Sequence, residues 1–328
     1  MKVLVYGAGV IGSYLAHVLC EAGNDVTMLA RSIRKAELEQ KGLVIRHYLQ
    51  KKITADHPRI VDKLGEEAYD IIFAAMQYQQ MRSVLDDLAD SRSPLVVLVG
   101  NNLSAPEMET YIKEHAAFPK TVVFGFQATG GRRENGEIVC VRKGAGTLHL
   151  GLAHSLPDEG TRSALQNAFG SAEYRLAFHP DMDGWYKSHL AFILPVAYLC
   201  YILECDLKRA GLVQLKQCVD AAGEGFGLLR AINISILPEG EDTYFNQGLK
   251  RALMTAMLWI AAKTALGRLA ASDHCRNAAD EMRALDMGFE AIRKSRPDLS
   301  MARWDTLRSA MPDWDAISLQ YGKEGKHA

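Results

Sequence analysis

The chain has 328 residues, 48% apolar and 23% charged, with 38 basic side chains against 39 acidic ones. That composition lies far from the charged, apolar-poor corner of disordered chains. A formal charge of −1 lacks the basic footprint of a general nucleic-acid binder, and the length suits about two domains.

The first half alternates strand and helix signals. Lys2–Tyr6 is a β-branched run ending in glycine, and Ile11–Ala22 carries apolar residues at 11, 15, 18 and 19 before Gly23. Strands are expected again over Asp25–Ala30, Asp70–Ala75 and Pro94–Val99, with a helix over Gln77–Leu88. Continuous apolar strands alternating with helices imply a doubly wound parallel sheet covered on both faces.

From about residue 120 the runs shorten. Strands are expected over Lys120–Gln127, Glu137–Arg142, Thr147–Gly151 and Glu173–Phe178, and Asn135-Gly136 is a hairpin signal. After Pro180 only helical spacing remains. It is clearest at 212, 215, 219, 222, 226 and 229, and it returns at Leu249, Leu253, Met257 and Ile260 and at Met282, Leu285, Phe289 and Ile292. The expected architecture is α/β: an N-terminal Rossmann-type doubly wound sheet with added antiparallel strands over residues 1–179, then an all-helical domain over 180–328. A tail after residue 321 is expected to be loose.

Six cysteines show no CxxC spacing, and the histidines form no HxxxH or HxH pair, so reduced buried thiols and no metal site are expected. The amino-terminal apolar run is interrupted by Gly7, Gly9 and Gly12, unlike a secretory signal. Leu190–Leu203 contains Pro195 and is shorter than the ~20 residues a spanning helix needs. A cytoplasmic protein with no membrane partner is the expectation.

Gly7-Ala8-Gly9-Val10-Ile11-Gly12 follows a strand and opens a helix, the context that gives a GxGxxG its meaning. The first glycine allows the turn and the second lets backbone approach a pyrophosphate. The third lets helix and strand pack, and the helix N-terminus presents free N–H groups. The second strand ends in Ala30-Arg31-Ser32-Ile33-Arg34-Lys35, where an NAD enzyme usually has a carboxylate. Cations there suit a 2′-phosphate, so NADP is the expected cofactor. Arg34 and Lys35 equally suit a solvated helix face.

With these residues, and with Val99-Gly100-Asn101, Gly130–Ile138, Leu148–Gly151 and Trp185-Tyr186-Lys187 in order, the chain resembles the 2-dehydropantoate 2-reductase (ketopantoate reductase) family over nearly its whole length. The resemblance implies that Lys187 is the catalytic acid, and reduction of a ketone needs such a proton donor. By the residues alone, Lys187 also reads as a surface lysine. Asn101 matches the family's asparagine beside nicotinamide and substrate, though Asn101-Asn102 also suits a turn. Gln77 stands where the family has a lysine facing the cofactor. Glu281 best matches the family's late glutamate, while Ser272, His274, Asn277 and Asp280 are further polar candidates; a solvated helix face accounts for them equally well.

The family's substrate-binding asparagines correspond to Ala191 and Leu194. The expectation is therefore an NADPH-dependent reductase of a small 2-oxo acid or related carbonyl compound, more apolar than ketopantoate. The alternatives are another NAD(P)-dependent hydroxy-acid or opine-type dehydrogenase and a non-catalytic NADP-binding sensor. The apolar stripes of the helical domain, with Leu253–Trp259, suit core packing first and a homodimer interface second.

Overall fold

The computed structural model describes residues 1–246 and 248–322; the tail expected to be loose falls on 323–328, outside them. The chain divides into two compact units, Met1–Met182 and Asp183–Ala328.

The first unit carries twelve strands: β1 (Lys2–Tyr6), β2 (Asp25–Leu29), β3 (Leu43–His47), β4 (Lys52–Asp56), β5 (Arg59–Val61), β6 (Ile71–Ala75), β7 (Leu95–Val99), β8 (Thr121–Gln127), β9 (Thr129–Glu134), β10 (Glu137–Arg142), β11 (Thr147–Gly151) and β12 (Arg175–Phe178). Its helices are α1 (Val10–Glu21), α2 (Ser32–Lys41), α3 (Tyr78–Met81), α4 (Leu85–Asp90), α5 (Ala105–His115) and α6 (Glu159–Phe169).

The main sheet runs β12-β11-β8-β7-β6-β1-β2-β5, parallel from β8 through to β5. Its central strands are apolar throughout because both faces are covered: Val3, Leu4, Val5, Ile71–Ala74 and Val96–Val99 are fully enclosed or nearly so. Tyr14, Leu15, Val18 and Leu19 of α1 pack into that core. β11 adds an antiparallel strand to β8.

The Asn135-Gly136 hairpin forms as expected from its turn chemistry, with positive φ at both residues (54° and 82°) and Glu134 opposite Glu137. It does not extend the main sheet, however. β9 and β10 join β3 and β4 in a second sheet ordered β4-β3-β10-β9. The helix expected over Gln77–Leu88 is divided by a 3₁₀ turn at Arg82–Val84, where Val84 leaves helical geometry at φ −119° and ψ 0°.

The second unit is helical: α7 (beginning at Met182 and ending at Ile202), α8 (Leu212–Ala231), α9 (Thr243–Asn246), α10 (Gly248–Lys263), α11 (Ala265–Gly267), α12 (Asp273–Asn277), α13 (Ala279–Arg293), α14 (Ala302–Ala310) and α15 (Trp314–Tyr321). Leu215, Val219, Ala222, Phe226 and Leu229 of α8 are buried at their expected spacing, whereas Leu212 in its first turn is 60% exposed. At its heart lies Asp286, fully enclosed on α13. It accepts from Tyr198 Oη at 2.6 Å, Arg308 Nε and Nη2 at 2.8 Å each, and Trp314 Nε1 at 2.8 Å. One carboxylate thus ties together α7, α13, α14 and α15, with every lone pair used. Among the described residues no helix is long and apolar enough to cross a membrane.

Candidate functional site

The loop between β1 and α1 is built by its glycines. Gly7 has φ +114°, and a Cβ there would lie 2.2 Å from the Ala75 carbonyl oxygen at the end of β6. A Cβ on Gly12 would meet the Gly7 carbonyl oxygen at 1.9 Å, so α1 can approach β1 only without one. Gly9 differs, since nothing lies within 4 Å of where its Cβ would be. It is the N-cap of α1, with no side-chain cap and no acidic residue in the first turn. The Val10, Ile11 and Gly12 N–H groups occupy the turn whose donors have no intrahelical acceptor. Open space in front of a positive helix end, reached by bare backbone, fits a dinucleotide pyrophosphate.

The cations after β2 are not equivalent. Arg31 is exposed; it donates from Nη2 to Tyr6 Oη (2.8 Å) and from Nε to the Asp62 carbonyl (3.4 Å). Tyr6 in turn donates to Asp87 (2.9 Å), and burial together with that carboxylate pushes its phenol up to about 12. Lys35 pairs with the Asp62 carboxylate at 2.7 Å. Arg34 is 7% exposed and faces inward, which corrects the picture of three cations facing one phosphate. Its guanidinium donates to the Ala8 carbonyl (3.2 Å), the Gly136 carbonyl (2.7 Å), Ser13 Oγ (3.4 Å) and Glu37 (3.2 Å). It is a strut between the glycine loop and the β9–β10 turn, and burial lowers its proton affinity.

Gln77 follows β6 as the N-cap of α3, where its Oε1 accepts from Gln79 at 2.7 Å. Asn101 follows β7 and is 7% exposed. Its neighbour Asn102 makes the turn, accepting the Ser104 N–H at 2.7 Å and resting its amide on the Met81 and Met108 sulfurs. Because β7, β6, β1 and β2 are successive neighbours, Asn101, Gln77, Gly7–Gly12 and Arg31 share one carboxyl edge, where strand order reverses direction about β1.

Lys187 and Glu281 belong to the second unit. Lys187 lies near the start of α7, its side chain 15% exposed, and its ammonium pairs with Asp183 one turn earlier. The backbone around it is pinned: Ser188 Oγ accepts the Leu237 N–H at 3.1 Å, and the Trp185 and His189 rings stack at 5.3 Å. Glu281 is buried in the first turn of α13, with His274 Nε2 3.4 Å from its carboxylate. Ser272 is buried and its hydroxyl accepts the Leu207 N–H at 3.4 Å. Ala191 and Leu194 are fully enclosed. Ala191 backs onto Gly225 of α8, whose added Cβ would sit 3.1 Å from it, so this position is part of the α7–α8 packing.

Sequence reasoning passed over Tyr6, Asp62 and Asp183. Asp183 had a readable signal, its i,i+4 spacing to Lys187 on a helix. Tyr6 and Asp62 come together with Arg31 only through the β1-β2-β5 order, which no local pattern encodes.

Residues 3–154 match the family model described as ketopantoate reductase PanE/ApbA. A relative from Bacillus subtilis (strain 168), described as uncharacterized oxidoreductase YkpB, is 34% identical over 88 residues, which cover 27% of this chain and only 28% of that relative. Among solved structures, D-mandelate dehydrogenase with NADH and anilino(oxo)acetate aligns at a TM-score of 0.73 and 15% identity, over 98% of this chain and 100% of that one. The PanE/ApbA family ketopantoate reductase of Ralstonia eutropha JMP134 aligns at 0.72 and 15% over 99% of both chains. The 2-dehydropantoate 2-reductase of Geobacter metallireducens GS-15 aligns at 0.70 and 17%, over 94% of this chain and 98% of that one. At such identities the structural likeness establishes the fold.

Proposed function

We propose, from the match of residues 3–154 to the ketopantoate reductase family model, that the protein is an NADPH-dependent reductase of a small 2-oxo acid or related carbonyl compound. The observation that carries the reading is the open cradle at Gly9 on the same sheet edge as Arg31, Gln77 and Asn101.

When bound, NADPH supplies the hydride. The backbone of Gly7–Gly12 would receive its pyrophosphate and Arg31 its 2′-phosphate, with Gln77 as a polar contact. As the ketone carbon is reduced, its oxygen gains negative charge. Lys187 Nζ would deliver the proton that oxygen needs, and Asn101 would orient the carbonyl. Asp183 holds the Lys187 ammonium, which fixes the direction of that donor. Glu281 would position Lys187 or the cofactor.

Neither Ala191 nor Leu194 offers an amide where the family binds its substrate, so we expect a more apolar substrate than ketopantoate. The D-mandelate dehydrogenase neighbour holds anilino(oxo)acetate, an aromatic 2-oxo carboxylate. The test is loss of NADPH absorbance with ketopantoate and with 2-oxo acids bearing aromatic or branched side chains. Turnover of the apolar acids supports the reading. A kcat/KM for ketopantoate near ~10⁴ M⁻¹s⁻¹ or above overturns the substrate assignment. NADPH binding with no turnover on any carbonyl makes the protein a sensor.

One observation favours NADH instead. The Asp62 carboxylate at the end of β5 pairs with Lys35 and its carbonyl takes an N–H of Arg31, so both cations are partly committed. The ratio of kcat/KM for the two cofactors decides between them.

A further inference from the structure

An arginine guanidinium carries its N–H donors in one plane as a rigid fork. In Arg31 the partners all fall on one side of that fork. Nε donates to the Asp62 carbonyl at 3.4 Å and Nη2 to Tyr6 Oη at 2.8 Å, and these two nitrogens share one edge. Nη1, which forms the outer end together with Nη2, has no partner among the described residues, and Arg31 is exposed. A guanidinium clamped along its side and open at its end is set to take two oxygens of one phosphate.

What lies behind Tyr6 fixes the direction of its bond. An ionised carboxylate only accepts and a guanidinium only donates. Tyr6 Oη lies 2.9 Å from the Asp87 carboxylate, so the phenol proton goes to Asp87 and an oxygen lone pair is left for Arg31. A hydroxyl that donates to a carboxylate is the stronger acceptor for it. Burial and Asp87 hold the phenol at about 12, so it keeps that proton at neutral pH. Tyr6 is 4% exposed at the last position of β1, a rigid post for a mobile side chain.

The arrangement steers the cation without neutralising it. Among the described residues no carboxylate forms an ion pair with Arg31, and the Asp62 carboxylate is turned to Lys35 at 2.7 Å. A carboxylate in direct contact would compete with an incoming phosphate, whereas Asp87 acts from one hydrogen bond further back. We propose that Tyr6 and Asp87 are positioning residues that set the preference of this site for a dinucleotide bearing a 2′-phosphate, Tyr6 by holding Arg31 and Asp87 by holding Tyr6. This role rests on the reading of Arg31 as the 2′-phosphate contact.

The experiment is fluorescence titration with NADPH and with NADH, giving the ratio of their dissociation constants. It is run on the wild type, Tyr6→Phe, Asp87→Ala, Arg31→Ala and the double variant Tyr6→Phe/Arg31→Ala. Tyr6→Phe removes only the hydroxyl. It is expected to weaken NADPH binding by about 3–10-fold, the scale of one ordinary hydrogen bond, with NADH binding unchanged. Asp87→Ala should do the same more mildly. Once Arg31 is alanine, Tyr6→Phe should cost nothing further, a result that a merely structural tyrosine would not give. An unchanged ratio in Tyr6→Phe, equal losses with both cofactors, tighter NADPH binding, or a loss that persists without Arg31 overturns the proposal. A wild type that binds NADPH no tighter than NADH overturns it together with the NADPH reading. A wild type that prefers NADPH beside an unaltered Tyr6→Phe overturns the positioning role alone. If Tyr6→Phe does not fold, the exposed Asp87 carries the test, and an unchanged ratio in Asp87→Ala then overturns the proposal.

Discussion

Arg34 Nε donates to the carbonyl of Ala8 across 3.2 Å, so the cation nearest the candidate cofactor loop supports that loop from inside. Replacing it by methionine keeps much of its volume but leaves the carbonyls of Ala8 and Gly136 without their donor. Arg34→Met is expected to cost about 2–4 kcal/mol of stability and to weaken NADPH binding as well. Urea unfolding and a fluorescence titration of NADPH measure the two effects. A variant that binds NADPH normally at wild-type stability would show that the strut carries no load.

Arg31 makes the opposite case, because its guanidinium is exposed and is anchored, among the described residues, by Tyr6 and a backbone carbonyl. Arg31→Ala is expected to raise the KM for NADPH by about 10–100-fold while leaving that for NADH little changed. Equal losses with both cofactors would take the 2′-phosphate role away from Arg31.

Lys187→Ala is expected to lower kcat by about 10²–10⁴ with the NADPH dissociation constant retained. Asp183→Asn leaves the amine in place and removes its anchoring carboxylate, so it should lower kcat, by less than Lys187→Ala does, with the NADPH dissociation constant unchanged. If Lys187→Ala turns over like the wild type, the proton comes from elsewhere.

Asp286 is fully enclosed and satisfied by four donors, so removing it strands the buried Tyr198 hydroxyl and takes the acceptor from the partly exposed Arg308 and Trp314. Asp286→Ala is expected to destabilise the second unit by about 3–5 kcal/mol, read as a lower urea midpoint. A loss below ~1 kcal/mol would mean that those donors find other acceptors.

Two histidines set the acid limit of the first unit. His47 takes an Arg142 N–H at Nδ1 (3.1 Å) and meets Thr54 Oγ1 through Nε2 (2.8 Å), so its ring is neutral with the proton on Nε2. Burial, then the Arg142 charge, pushes it down to about 3 from the ordinary 6.5. Burial, then His179 at 2.8 Å, pushes His149 down to about 4. The unfolded chain therefore binds more protons than the folded one below about pH 6.5. The stabilisation is present above that value and is lost as pH falls toward the folded ones. Between pH 7 and 4.5 each of the two should contribute a loss on the order of 2–3 kcal/mol. His149→Gln should flatten the fall in urea midpoint; an unchanged slope would assign the acid sensitivity to other groups.

Burial decides how much of this was legible. β1, β2, β6 and β7 are enclosed on both faces, so each writes an unbroken apolar run that gives it away. β4, with its polar Lys-Ile-Thr-Ala-Asp, and β9, with Gly130, Gly131, Arg132 and Arg133, lie half in solvent; cross-strand pairing, not composition, makes them strands. The glycine loop was readable because two of its residues have no room for a Cβ. Charge is a poorer guide to position: on α2, Ile33 is 65% exposed while Arg34 is 7% exposed, the reverse of their hydrophobicities. Ala191 reads in the sequence as the loss of a substrate-binding amide, and Gly225 behind it shows that its small side chain also serves the α7–α8 packing. The 3-4 spacing of α10 identified a helix and its apolar stripe, but core packing, the first expectation for that stripe, fails because the stripe faces outward.

The glycine loop also separates two kinds of damage that active-site mutagenesis usually confounds. A methyl group at position 7 or 12 drives into backbone oxygen and strikes the fold. At position 9 it meets no protein atom and takes up only room that an incoming phosphate would use. Gly9→Ala is thus expected to leave the melting curve unchanged while weakening binding of the proposed nucleotide.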